Sequence, residues 1–283
     1  MNKVLNTTQQ TKKHARQAKK EVKPWLKILA RLGYGSKGFV YFLVGALALK
    51  ASWGAGSPDV NTKDALVEIV TKPFGNILLG LVSFGLVGYV LWRFVQAFAD
   101  PENFGTGAKG ILRRTGYAIS GVIYAALGVF AVQLIAGSGG GGNRNAPEDW
   151  TARIMAQPFG LWMVAAIGAI FIGLAAFEAY RAYSAQFRRK FNLAEMSRTE
   201  DIWATRIGRI GQVARGVVHL ILGGFLIQAA IHYDPDKAGG LGEALQALAR
   251  QPYGFLILGC LAFGLICYGI YCGVLAKYRR IYW

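Results

Sequence analysis

The chain has 283 residues, 53% of them hydrophobic, with 37 glycines and a formal net charge of +17. Apolar runs of about 18–22 residues recur six times, the length needed to cross a bilayer, which excludes an ordinary soluble two-domain chain. The runs are continuously apolar, without the alternation of membrane strands, so a barrel is excluded as well.

In chain order, residues 1–29 form a basic tail. The first 31 residues carry nine Lys or Arg and one acid, Glu21. The basic stretch is too long, and the next apolar run too full a span, for a secretory signal. No stacking aromatics interleave the tail's lysines, so nucleic acid is not an expected partner. The expected partner is anionic lipid at the cytoplasmic face, at about 1 kcal/mol per basic residue near the surface.

The rest of the chain repeats itself three times. Arg31-x-Gly33, Gly38, Tyr41 and Gly45 recur as Arg114-x-Gly116, Gly121, Tyr124 and Gly128, and again as Arg209-x-Gly211, Gly216, His219 and Gly223. Each copy runs through a polar loop to Pro73-Phe74-Gly75, Pro158-Phe159-Gly160 or Pro252-Tyr253-Gly254, and then into a second apolar run. This is one two-helix unit used three times, over residues 30–100, 113–190 and 205–283. The predicted spans are Gly33–Leu49, Gly75–Phe98, Gly116–Ile135, Phe159–Tyr180, Ile210–Ile231 and Tyr253–Ala276. Before each proline lies a short amphipathic segment opening on an acid, at Asp64, Asp149 and Glu243, which suits a helix N-terminus. These segments are expected to be interfacial helices on the outer side, with the proline at the start of the next helix. The Gly137–Gly142 loop is expected to be flexible, and Gln186–Thr205 to be a cytoplasmic excursion.

Two spans per repeat give all three repeats the same orientation, so they are parallel and related by an axis along the membrane normal. The expected fold class is all-α: a polytopic membrane protein of six transmembrane helices with pseudo-threefold symmetry. The loop after the fourth span carries Arg181, Arg188, Arg189, Lys190, Arg198, Arg206 and Arg209 against three acids, and the chain ends with Lys277, Arg279 and Arg280. Loops after the odd spans are near neutral or acidic. This asymmetry puts both termini in the cytoplasm.

The Arg-x-Gly opening, the Gly-x-x-Tyr or Gly-x-x-His step and the proline–aromatic–glycine junction together resemble the bacterial family called domain of unknown function 1206. The resemblance covers about Ala30 to the C-terminus and implies a multi-pass protein of a bacterial cytoplasmic (inner) membrane. It brings no activity with it. The third copy departs most, with Gln212 and His219 where the others have Tyr.

Several residues are candidates for chemistry. Gly33-x-Gly35-x-x-Gly38 fits a dinucleotide fingerprint only as a string, because no strand precedes it and an apolar span follows. The glycines seven apart in each odd span form a packing stripe. Lys37, Ser120 and Arg215 are equivalent, as are Tyr41, Tyr124 and His219 one turn on, while Arg31, Arg114 and Arg209 lie six residues earlier, about 9 Å toward the cytoplasm. In a threefold bundle these positions stack as layers. Lys37 and Arg215 either snorkel outward to lipid phosphates or line a basic vestibule for an anionic solute or lipid headgroup. On the even spans Arg93, Glu178 and Cys272 are equivalent, and Arg93 with Glu178 suggests an ion pair or a proton relay. Cys260, Cys267 and Cys272 read as packing residues. The three histidines lack metal-ligand spacing and no catalytic constellation stands out, so no metal, no cofactor and no enzyme is expected. Two function classes remain: a transporter or channel for a small anionic or polar solute, and a non-transporting membrane scaffold or lipid-binding protein.

Overall fold

In the computed structural model, residues 24–53, 67, 75–100, 104–137 and 146–279 are described. The apolar runs are helices. In chain order they are α1 (Pro24–Ser52), α2 (Gly75–Phe98), α3 (Ala108–Ile135), the short α4 (Ala146–Met155), α5 (Gly160–Ser184), α6 (Arg198–His232), the short α7 (Leu241–Ala249) and α8 (Gly254–Tyr278). Six of them, all but α4 and α7, are long and apolar enough to cross a membrane. The chain is an all-helical, polytopic protein of three tandem repeats. The basic tail 1–23, most of the first amphipathic segment, the Pro73-Phe74 pair and residues 138–145 lie outside the described residues.

The odd helices start well before their apolar runs: α1 at Pro24, α3 at Ala108 and α6 at Arg198. These added turns carry basic or polar residues, Lys27 and Arg31 in α1, Lys109 and Arg113 in α3 and Arg198-Thr199-Glu200-Asp201 in α6. In α6 a capping box supplies the start, with the Ser197 side chain accepting from the Glu200 N–H and the Glu200 carboxylate accepting from the Ser197 N–H. Most of the Gln186–Thr205 excursion is therefore structured. Two 3-10 turns, Gln186–Lys190 and Leu193–Glu195, lead into α6. Phe187 and Phe191 are fully buried against Tyr271 of α8. The Asn192 N–H donates to the Tyr278 carbonyl at 2.7 Å, and Arg188 pairs with Asp201. The segment folds back and ties the end of α8 to the bundle.

At the opposite end the proline–aromatic–glycine junction has a clear physical basis. The long helix begins at the glycine, not the proline: Phe159 and Tyr253 are the N-cap residues of α5 and α8, in left-handed conformation at φ 62° and 59°. That turn stacks the short helix end-on against the long one. A Cβ on Gly160 would lie 2.0 Å from the Ile154 carbonyl oxygen, and one on Gly254 would lie 2.0 Å from that of Ala249. Only glycine fits there.

Around the bundle, the even helix of each repeat packs on the odd helix of the next: α2 on α3, α5 on α6, and α8 back on α1. This cyclic order is the mark of parallel repeats about one axis. The register is the same at each interface. Gly38 faces Cys272 of α8, Gly121 faces Arg93 of α2 and Gly216 faces Glu178 of α5. The small residues let the backbones approach, with a Gly38 Cβ only 2.6 Å from the Gly269 carbonyl oxygen. Within repeats the pattern breaks. α1 packs on α2 and α6 packs on α8, but among the described residues α3 and α5 make no comparable contact with each other. The ring has an open seam there.

Candidate functional site

Polar side chains from all six long helices converge inside the ring. Lys37 of α1 is 2% exposed. Its Nζ donates to the Tyr89 hydroxyl of α2 at 3.1 Å and lies 5.2–5.6 Å from four ring centroids, those of Tyr41, Tyr89, Tyr124 and Tyr268. The rings support each other edge-on, Tyr89 with Tyr124 at 4.7 Å and Tyr41 with Tyr268 at 4.8 Å. A desolvated ammonium gains up to about 2 kcal/mol from one such face. Four tyrosine faces therefore stand where a carboxylate usually would and offset part of the cost of burial, and no ion pair to Lys37 is found among the described residues.

The polar chain continues to either side. The Tyr89 hydroxyl also accepts from Arg93 Nε at 2.8 Å, and Arg93 Nη1 donates to Gln96 Oε1 at 3.1 Å. On the other flank Arg215 of α6 donates to the Tyr268 hydroxyl at 2.7 Å and stands 3.2 Å from Glu178 Oε1 of α5. His219 Nδ1 lies 3.0 Å from Glu178 Oε2. That approach is close enough for an ion pair, and beside it Arg215 Nε is buried without a hydrogen-bond partner among the described residues.

The predicted layers are thus placed as follows. Lys37, Tyr41, Tyr124, Arg215 and His219 come together with Glu178 in the interior. Glu178 pairs with Arg215, whereas Arg93 is held by Tyr89 and Gln96 rather than by Glu178. Ser120 is half-buried, one residue before the glycine that packs on Arg93. The arginine layer does something else. Arg114 donates to the Ala97 and Phe98 carbonyls at 2.6 and 3.0 Å, and Arg31 donates to the Lys277 carbonyl at 3.3 Å. Both cap the C-terminal end of the preceding even helix, where a cation offsets the helix dipole. Arg209 is exposed and lines a shallow surface recess with Ala182 and Tyr183, the equivalent turn of α5.

Two residues of the cluster carried no sequence expectation: Tyr89 and Tyr268. Each lies 16 residues past its proline, and this register was the available signal. The second repeat has Leu174 at that position.

Fold and cluster define a multi-pass helical membrane protein built from three two-helix repeats around a polar, cation-rich centre. The chain belongs to the family described as Domain of Unknown Function (DUF1206), which matches residues 32–100, 115–185 and 210–279. It is 37% identical over 265 residues to a Bacillus subtilis (strain 168) protein named "Uncharacterized protein YxxB", over 94% of this chain and 95% of that one. No solved structure matches it.

Proposed function

We propose that the protein is a non-enzymatic anion-binding protein of a bacterial cytoplasmic membrane, with both termini cytoplasmic and the bound anion held at the central cluster. The observation that carries this reading is charge balance. Lys37 is buried and Arg93 and Arg215 are half-buried at the bundle centre, where the described residues place one carboxylate, Glu178. Each ion withdrawn from water costs several kcal/mol unless it is compensated, and aromatic faces offset only part of that. A guest carrying one or two negative charges completes the site. Phosphate-type oxygens suit it, since the Lys37 ammonium has three donors and uses one on the described residues, and Arg215 Nε is free to donate.

Retention, rather than passage from one end to the other, is the favoured outcome. On the α4 and α7 side of the cluster the bundle is filled with apolar side chains, among them Val44, Leu79, Phe130, Leu245 and Leu258. The orientation rests on the basic residues gathered at the end where the odd helices start.

Titration calorimetry on the purified protein with inorganic phosphate tests the reading. Saturable binding is expected, weakened at least tenfold by Lys37→Met, a change that leaves the ring packing in place. No binding at millimolar phosphate, or binding indifferent to Lys37→Met, overturns it. A vesicle flux assay with the same anion separates retention from transport, and no flux is expected.

A further inference from the structure

The open seam lies at the depth of the cluster. In the first repeat Gly33 packs on the Tyr89 backbone, and in the third Gly211 packs on that of Tyr268, where a Cβ would fall 2.5 and 2.6 Å from the nearest backbone atom. Those two tyrosines are walls of the Lys37 cage. In the second repeat the corresponding pair is Gly116 and Leu174. A Cβ on Gly116 would meet nothing within 4 Å, nor would one on Gly173, and Leu174 is 41% exposed. The cage thus has two tyrosine walls from even helices and lacks the third. Beside the gap stand Tyr124 on α3 and Glu178 on α5, with the partly exposed Arg215 and His219 behind them on α6. The lips of the gap are apolar: Ile119 and Ile123 on α3, Ile170 and Leu174 on α5, all exposed.

A molecule that matches this shape is anionic at one end and hydrocarbon along its length. We propose that the seam between α3 and α5 admits one anionic phospholipid from the bilayer, its phosphate against Arg215 and Lys37 and an acyl chain along Ile119, Ile123, Ile170 and Leu174. This rests on the anion reading above and names the anion's source. Charge complementarity selects the lipid over a second copy of the chain. A copy would bring an apolar helix face to the lips and leave the cluster's excess of cations over its one carboxylate unbalanced, whereas a phosphodiester supplies the missing charge. Two groups are available to it: the 2%-exposed Lys37, with one donor engaged among the described residues, and the half-buried Arg215, whose Nε is itself buried and unpartnered.

The test uses the full chain reconstituted in nanodiscs of phosphatidylcholine with phosphatidylglycerol, released into detergent and weighed by native mass spectrometry. One phosphatidylglycerol per chain is expected to survive delipidation, in preference to phosphatidylcholine. The double substitution Gly116→Leu with Gly173→Leu fills the seam at two positions that have room for side chains, so the fold stands. It is expected to cut retained phosphatidylglycerol at least tenfold and leave inorganic phosphate binding unchanged, since affinity for a tail-free anion is set by the cations. Equal lipid retention in the filled variant places the lipid elsewhere and overturns the proposal. Phosphate binding without retained lipid overturns the proposal but spares the anion site. Neither phosphate nor lipid binding overturns both. A wild-type dimer that becomes monomeric in the filled variant assigns the seam to a second copy instead.

Discussion

In the first and third repeats the odd helix lies backbone to backbone against its own even helix, whereas α3 and α5 of the second stand apart, although all three carry the same Arg-x-Gly opening. The difference shows that a packing glycine permits contact without compelling it. Gly33 and Gly211 meet Tyr89 and Tyr268, whose hydroxyls are fixed by Lys37, Arg93 and Arg215. Leu174 has no hydroxyl to be held by that network. In a bilayer, where lipid tails solvate leucine as well as a neighbouring helix does, hydrogen bonds and close packing decide which faces meet.

The comparison leaves α5 dependent on α6, and this sets the largest expected effect. On that side the Glu178–Arg215 pair lies beside Gly216, which packs on Ala175 and Glu178, and Gly168 meets Gly223 further along the same helices. Removing one partner of a buried pair strands the other and costs about 3–5 kcal/mol, and the half-buried Arg215, which keeps its bond to Tyr268, puts this pair at the low end. Glu178→Gln should therefore lower the unfolding midpoint sharply in detergent. Cys272→Ala, the equivalent position at the closed α8–α1 interface, should do little. Equal losses would show that α5 is no more dependent on its charge pair than α8 is on packing.

Next in size are the glycines of the closed pairs. Gly33→Ala and Gly211→Ala each drive a methyl into a backbone at 2.5–2.6 Å, which neither helix can relieve by a rotamer change. Overpacking of this kind costs about 1–3 kcal/mol. Thermal unfolding followed by circular dichroism should register both, together with weaker phosphate binding, because the displaced backbones carry Tyr89 and Tyr268. Unchanged stability at both sites would mean that the closed pairs are looser than their contacts imply.

Sequence alone carried the six spans, the repeats and the all-helical class, because membrane spans announce themselves by length and the repeat by recurrent glycines and prolines. The same equivalence grouped Lys37 with Arg215 and Tyr41 with Tyr124. The broken threefold was not legible, since it turns on one side chain, Leu174 in place of tyrosine, on an otherwise ordinary apolar face. Nor was the capping by Arg31 and Arg114: an arginine at the start of a span reads the same whether it caps a neighbouring helix or faces a vestibule. The early starts of α1, α3 and α6 were hidden because helical turns interrupted by Lys27 and Arg31, Lys109 and Arg113, or Arg198 and Arg206 break the continuous apolar run by which a span is read.

Smaller effects belong to the caps. Arg114→Ala removes two donors from the end of α2, at the interface between the first and second repeats. A cation at a helix C-terminus is typically worth about 0.3–1 kcal/mol. The unfolding midpoint should fall slightly, and phosphate affinity should hold, because the guanidinium engages carbonyls away from the cluster. A loss of affinity comparable to that of Lys37→Met would return the arginine layer to the binding site.

The smallest effect has the most telling sign. Gly116→Ala is the same substitution as Gly33→Ala at the equivalent position, but no atom lies within 4 Å of the new methyl. What remains is the backbone term. Replacing a helical glycine by alanine where the conformation allows it stabilises by about 0.4–1 kcal/mol, mainly by restricting the unfolded chain. One substitution at three equivalent sites should therefore destabilise twice and stabilise once, read as the direction of the shift in unfolding midpoint under identical detergent conditions. If Gly116→Ala destabilises as Gly33→Ala and Gly211→Ala do, α3 and α5 meet in the folded protein and the seam is closed. If it stabilises, the second repeat is open, and the side of the cage without a tyrosine wall faces the bilayer.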